Sequence, residues 1–301
     1  MDTPKPHPRF TEPGPLSRHR GRFRRWSLTL ATAPLALAGC LAHTVNLLDP
    51  AGPRFEGSYA AIPSLRAGPV APLRVVTFNI RLAREIDRAI DVLRGKDLEG
   101  ADIIALQEMD PEGTERIARA LNLNYVYFPA AVHPTDSAYF GPAVLSRWPI
   151  DSGAKILLPH QGILRHQRRT ATAATVHVRG LPIRVYAVHL ETQIRISERS
   201  RADQIETVLA DAARFPGPVV IAGDFNSTMI GPLLTRSGYT WTTKWVGPTV
   251  SLFSWDHIFV RGLAPAGAGS AGVVRKVLGA SDHRPVWSLV VPTVRALSGQ
   301  D

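Results

Sequence analysis

Cysteine is nearly absent: the 301 residues contain one. A single cysteine closes no intramolecular disulfide and supplies no multi-thiolate zinc or iron–sulfur site, so stapled scaffolds and thiolate metal centres are excluded. Long apolar runs are scarce as well. The uncharged stretch 26–39 is shorter than the roughly 20 residues a membrane-spanning helix needs. No internal repeat is present. Charge is modest, with 20% charged and 45% hydrophobic residues, which excludes a disordered, highly charged chain and leaves enough apolar material for a sizeable core. The length fits one large domain or two small ones.

The sign of the charge is uneven along the chain. The formal net charge is +10, but residues 1–40 carry seven basic side chains (Lys5, Arg9, Arg18, Arg20, Arg22, Arg24, Arg25) against Asp2 and Glu12. Without them the charge falls to +5, which weakens any inference from total charge to an anionic partner. A basic stretch followed by a short apolar core is the pattern of a secretory signal. The core ends in Leu37-Ala38-Gly39-Cys40, which resembles the lipobox of bacterial lipoproteins, where the cysteine becomes the lipid-modified first residue. Arg24-Arg25 before Trp26-Ser27-Leu28 resembles a twin-arginine export signal. The expectation is an exported lipoprotein, anchored through Cys40 in the bacterial periplasm or at the cell surface, and monomeric.

Residues 41–72 are rich in Ala, Gly and Pro and read as a tether. A folded domain is expected over 73–292, with 293–301 a short tail. Strands are predicted at LRVVTFNI from Leu73, at 102–108, at 141–150, and at 170–178 and 181–190, the last two a hairpin about Arg179-Gly180. PVVIAGDF, SWDHIFV and RPVWSLVV add three more. Helical spacing marks 83–98, 114–121 and 197–214. The expected fold is α/β of the α+β type: a four-layer sandwich of two mixed β-sheets flanked by helices.

Polar residues gather where these strands end. Asn79 closes the first strand, Glu108 the second and His189 the hairpin. Asp224 and Asn226 end the GDFN strand, Asp256 sits in WDHIFV, and Ser281-Asp282-His283 precedes the last strand. On strands that pack together these side chains would converge on one edge, combining carboxylates and carboxamides for a hard cation with histidines that carry protons. His257, next to Asp256, should face the opposite side of its strand. Trp241, Trp245 and Trp255 read as core and rim packing rather than as stacking platforms.

The phrases TFNIR, ALQEMD, LSRWP, AVHLET, AGDFN and SDHRPV, in that order, resemble the motifs of the endonuclease/exonuclease/phosphatase superfamily over about residues 73–291. Gly141-Pro142-Ala143 departs from the Gly-Asn of many relatives. The resemblance implies Mg2+ (Mn2+ as an alternative) held by Glu108, with Asn79 nearby and Asp282 helping. It implies that His283 works at the scissile phosphate with Asp256 orienting its ring. Asp224 would orient or deprotonate the attacking water, Asn226 and His189 would contact the phosphate, and Arg169 would approach it. The family's mechanisms leave open whether Asp224 or His283 is the base.

The leading expectation is therefore a metal-dependent phosphodiesterase of the nuclease type. The first alternative is hydrolysis of a phospholipid headgroup or sugar phosphate, which a membrane tether favours. The second is an inactive surface lipoprotein that binds a partner.

Overall fold

The computed structural model describes residues 44–61, 71–134, 137–163 and 165–293. The predicted signal over 1–40, with Cys40, lies outside the described residues, as does the predicted tail apart from Thr293.

In chain order the elements are β1 (Val45–Asn46), β2 (Phe55–Gly57), β3 (Leu73–Asn79), α1 (Ile86–Leu93), β4 (Ile103–Met109), α2 (Pro111–Leu121) and β5 (Asn124–Tyr127). They continue with β6 (Ala131–Val132), β7 (Tyr139–Ser146), β8 (Ile150–Gln161), β9 (Arg168–Val178), β10 (Leu181–His189) and α3 (Glu198–Ala213). The chain closes with β11 (Val219–Asp224), α4 (Ile230–Arg236), β12 (Thr240–Trp241), β13 (Asp256–Arg261), β14 (Leu263–Pro265), β15 (Ala271–Val273) and β16 (Val286–Pro292).

A ten-stranded sheet runs β1-β6-β7-β4-β3-β16-β14, with β5 also on β7, β2 on β5 and β15 on β16. A six-stranded sheet runs β12-β13-β11-β10-β9-β8. Both are mixed: β3 pairs parallel with β4 and β10 with β11, among otherwise antiparallel neighbours. The sheets pack face to face. Val75, Ile103 and Ala105 meet Val185, Ala187, Val220 and Ile258 between them. The alternate residues Val76, Phe78, Ile104 and Leu106 face outward under α1 and α2. Val188, Ile221 and Phe259 do the same under α3 and α4. The expected four layers are thus present. Strands covered on both faces explain the near-continuous apolar runs at 73–78 and 183–188.

Local chemistry fixes the ends. Asp110 caps α2, its side chain accepting from the Gly113 N–H at 2.6 Å, with Pro111 opening the helix. Arg179 and Gly180 both take positive φ, +52° and +88°, as a two-residue hairpin turn requires.

One expectation about a segment needs correction. The stretch read as a tether supplies strands within 44–61: Val45 pairs with Val132, and Phe55 with Tyr127. These strands are too short to show a period, and they are held by edge pairing rather than by their own pattern. The edge of the six-stranded sheet is β8, a half-buried strand, and only residues 162–167 separate it from β9. Helix α4, between Asn226 and Asp256, is absent from the helices that the spacing predicts.

Candidate active site

At one end of the cleft the inward-facing rows change from apolar to polar. On β3 the row runs Leu73, Val75, Thr77, Asn79; on β10 it ends at His189, on β11 at Asp224, and on β13 at Asp256. Because these rows face each other across the cleft, their polar ends meet. The Asn79 Nδ2 group donates to Asp224 Oδ2 at 3.1 Å, across the two sheets, and to Glu108 Oε1 at 3.2 Å.

Glu108 reaches this cluster by a bulge. Strict alternation after Ile104 and Leu106 would aim it toward the helices. The β4–β7 register instead shifts between Leu106 and Met109, and Glu108 takes a φ of +59°. An extra residue in one strand re-aims the side chain that carries it. Glu108 Oε2 then accepts the Leu82 N–H at 3.1 Å.

His283 comes from the turn before β16. Ser281 holds that turn, its hydroxyl donating to the Asn79 carbonyl at 2.7 Å and accepting the His283 N–H at 3.1 Å. The imidazole Nδ1 lies 2.9 Å from Asp256 Oδ2, and Nε2 lies 3.8 Å from Asp224 Oδ2. Thr249 fixes Asp256 by accepting its backbone N–H at 3.2 Å. Burial opposes a charge on His283, but the carboxylates of Asp256 and Asp224 overcome it and raise the ring to about 10. Burial raises Asp224 to about 7; His283 opposes that rise and Asp256 adds to it.

His189 is in the opposite state. Burial first, and then the Arg169 guanidinium, hold it well below its ordinary value, so the ring is neutral. Arg169 Nη1 donates to Nδ1 at 3.1 Å, which leaves the ring proton on Nε2. Nε2 faces Asp224 Oδ2 at 3.6 Å and Glu108 Oε1 at 4.0 Å. Arg169 is itself buried. It pairs with Glu191 at 3.1 Å and lies over the Phe140 ring at 5.2 Å from its centroid. Glu191 is fully buried; burial opposes its ionisation, but Arg169 prevails and holds the carboxyl below its usual range.

The structure therefore brings together Asn79, Glu108, His189, Asp224, Asp256 and His283, with Arg169 behind His189. Asn226 is adjacent in a left-handed conformation, its Nδ2 donating to the Leu190 carbonyl at 2.9 Å. Asp282 is placed otherwise: its carboxylate is half exposed and lies 3.8 Å from Arg81 Nε, at the rim. Pro142, at the departure from Gly-Asn, offers its carbonyl to the Thr172 hydroxyl at 2.6 Å and so ties the two sheets together beside the site. Ser281 was named with the cluster at the strand ends, whereas Glu191 and Thr249 were missed as supporting residues. The only signal for Glu191 was its place in AVHLET.

Among the tryptophans, Trp241 packs into the outer core, Trp245 is exposed, and Trp255 stacks on Phe253 with centroids 4.7 Å apart. His257 points away from the cleft, as the strand period requires. Its ring meets Trp241 edge-on at 4.8 Å, and Nε2 donates to the Ser254 carbonyl at 2.9 Å. Burial lowers it to about 4. A ring whose folded value is depressed below its reference of 6.5 contributes stability that is present above 6.5 and lost as pH falls through about 4. At ~1.36 kcal/mol per pK unit that contribution is on the order of 3 kcal/mol. Thermal unfolding of His257→Phe should lose less Tm between pH 7 and pH 4 than the wild type does. Equal losses would contradict this account.

The donor set suits a hard divalent cation. Glu108 offers carboxylate oxygens with Asp224 beside it, while the Asn79 Oδ1 accepts the Arg81 N–H at 3.0 Å, so the Asn79 carboxamide oxygen would reach a cation only after the amide turns over. Asp224, Asp256 and His283 also lie within 4.8 Å of one another. There, however, Asp256 Oδ2 and His283 Nδ1 are engaged with each other. That trio is an acid–base arrangement more than a cage.

Residues 76–283 match the Endonuclease/Exonuclease/phosphatase family. The chain belongs to that family and is an enzyme of its class, a metal-dependent hydrolase of phosphoester bonds. A search of curated proteins finds no match. Similar solved structures include an endonuclease/exonuclease/phosphatase from Beutenbergia cavernae DSM 12333, 22% identical with a TM-score of 0.59, covering 74% of this chain and 72% of that one. Sphingomyelinase C from Streptomyces griseocarneus is 17% identical at a TM-score of 0.56, over 73% of this chain and 99% of that one. D. rerio TDP2, complexed with single strand DNA product, is 18% identical at 0.57, over 74% of this chain and 100% of that one. At such identities the likeness is one of fold.

Proposed function

We propose that this chain is an exported, Mg2+-dependent phosphodiesterase, monomeric and anchored in the membrane through lipidated Cys40. The observation that carries the catalytic reading is Asp224 flanked by the Asp256–His283 pair on one side and by neutral His189 on the other. Glu108 and Asn79 would hold the cation, with Mn2+ as a substitute. When bound, it supplies Lewis-acid polarisation of a phosphoryl oxygen. His283, kept protonated by its two carboxylates, donates toward the phosphate and its leaving oxygen. Asp224 orients the attacking water and accepts its proton. His189 donates its Nε2–H to a phosphoryl oxygen, because Arg169 occupies Nδ1. Arg169 is thus a positioning residue rather than a phosphate contact.

Nucleic acid is the first substrate to test. Plasmid DNA and RNA are incubated with Mg2+ or EDTA, using wild type and His283→Ala. Mg2+-dependent cleavage by the wild type alone is expected, and identical behaviour of the two proteins would remove the nuclease reading. Phospholipid headgroup release is the second arm, favoured by the apolar surface described below.

Arg169→Met should lower kcat about 10–100-fold, the usual scale for a partner that orients an active-site histidine. It would also leave the buried Glu191 carboxylate with only Arg195, 3.7 Å away, as a cationic partner, which destabilises the fold by less than the ~3–5 kcal/mol of a fully unpaired buried charge. Pairing Arg169→Met with Glu191→Gln separates the two effects: stability returns while kcat stays low. Nitrogen-15 NMR of the His189 ring reads the tautomer directly. An unchanged tautomer in the double variant would contradict the positioning role.

A further inference from the structure

Residues 44–46 are part of the folded domain, which shortens the link between Cys40 and that domain. Cys40 is followed by only three residues before Thr44, and Thr44 is already docked, its N–H donating to the Arg165 carbonyl at 3.2 Å. Asn46 reinforces the attachment from β1, with Nδ2 donating to the His166 carbonyl at 2.8 Å and Oδ1 accepting the Arg168 N–H at 2.7 Å. Four Cα steps extend to about 14 Å at most. An acyl group on Cys40 therefore holds the 162–167 turn close to the bilayer surface instead of letting the domain roam.

That part of the surface is unusually apolar. Ile163 and Ile194 are 67% and 76% exposed, and their turns are joined by the Ile163 N–H donating to the Arg195 carbonyl at 3.2 Å. Val45 is 60% exposed and Leu48 43%. Val45 lies opposite Val132, and Val132 opposite the exposed Tyr139, so the apolar row continues across the sheet edge. Arg165 stands among them, a cation suited to anionic headgroups, while Arg195 turns inward toward the buried Glu191 carboxylate at 3.7 Å. Exposed apolar side chains with a basic one among them, beside a lipid attachment point, have the composition of an interfacial membrane contact.

We infer that the surface formed by Val45, Ile163, Ile194 and Tyr139 docks on the lipid bilayer that carries the Cys40 anchor. The inference rests on the anchor proposed above. It also aims the active site. The 162–167 turn leads directly into Arg168 and Arg169, and Arg169 touches His189. The Cβ that Gly162 lacks would lie 3.0 Å from Glu191 Oε2, in the same buried network. Docking here brings the mouth of the cleft to headgroup level, where a phosphodiester carried by a lipid is the accessible substrate class.

The test uses the full-length lipoprotein, reconstituted in vesicles of phosphatidylethanolamine and phosphatidylglycerol. Acylation occupies Cys40, so one introduced cysteine can carry an environment-sensitive fluorophore. Ile194→Cys probes the proposed face; Lys96→Cys, in the turn after α1 at the opposite strand ends, is the control. The label at 194 is expected to shift to the blue and to be quenched by a doxyl lipid, while the label at 96 does neither. Adding Ile163→Asp and Val45→Asp should abolish the shift at 194 while acylation persists. If mass spectrometry shows no acyl group on Cys40 of the exported protein, the anchor falls and the docking with it. If Cys40 is acylated but the label at 194 is as quiet as that at 96, the anchor stands and the docking surface alone is overturned.

Discussion

Replacing His283 with alanine is expected to lower kcat about 10²–10⁴-fold, the range associated with a positioned proton donor or acceptor. KM should change little, because Arg169, His189 and the Glu108–Asn79 pair stay in place. The direction of the effect rests on the two carboxylates about the ring, Asp256 Oδ2 at 2.9 Å and Asp224 Oδ2 at 3.8 Å. They hold the proton on His283 up to about 10, so the wild-type rate should stay high on the alkaline side until the ring deprotonates. Asp256→Asn keeps the shape of the hydrogen bond but removes a charge. The alkaline limb of the pH–rate profile should then move down toward the reference value of 6.5. The same shift carries a stability term of fixed sign. A histidine whose folded value is raised contributes stability that is present below 6.5 and lost as pH rises through about 10. Wild type should therefore lose Tm between those limits, and His283→Ala should show a flatter curve. An alkaline limb that stays put in Asp256→Asn would show that His283 is not the group that titrates.

Much of this site was visible in the sequence because its residues end strands of period two. Asn79, His189 and Asp224 each continue an inward row that the residues before them define, Asp256 begins the row that Ile258 and Val260 carry on, and His257 falls outside by the same rule. Glu108 is different. Its phase in β4 points it the wrong way, and only the bulge at a φ of +59° returns it to the cleft. No periodicity argument finds a register shift of that kind. Asp282 and His283 show a second limit. They are neighbours in a turn, where no period says which way each side chain goes, and the Ser281 hydroxyl decides it by fixing the His283 N–H. The strands at 45–46 and 55–57 illustrate a third: their stability comes from partners β6 and β5, more than 60 residues away in sequence, so composition alone reads them as linker.

Gly223→Ala is expected to destabilise the protein by about 4 kcal/mol, at the upper end of what one substitution does, and to impair any molecules that still fold. Gly223 lies opposite Val188 in the parallel pairing of β10 and β11, one residue before Asp224 and opposite the residue before His189. Its φ is +156°, and an added Cβ would sit 2.0 Å from the Val188 carbonyl oxygen and 2.8 Å from its carbonyl carbon. Those atoms are backbone in the middle of a buried ladder, so no side-chain rotation relieves the contact. The strands would have to part, and the next pair along the ladder is His189 with Asp224. Their 3.6 Å approach would lengthen with it. Two measurements separate the consequences: denaturant unfolding reads the stability loss, and kcat below the unfolding transition reads the displaced pair. Gly180→Ala serves as a comparison, since nothing lies within 4 Å of the added carbon there and only the φ of +88° opposes it. It should cost about 1 kcal/mol, the scale of a left-handed backbone without glycine, and leave kcat untouched. If Gly223→Ala proved as mild as Gly180→Ala, the close approach of β10 and β11 would not be what sets the geometry of the site.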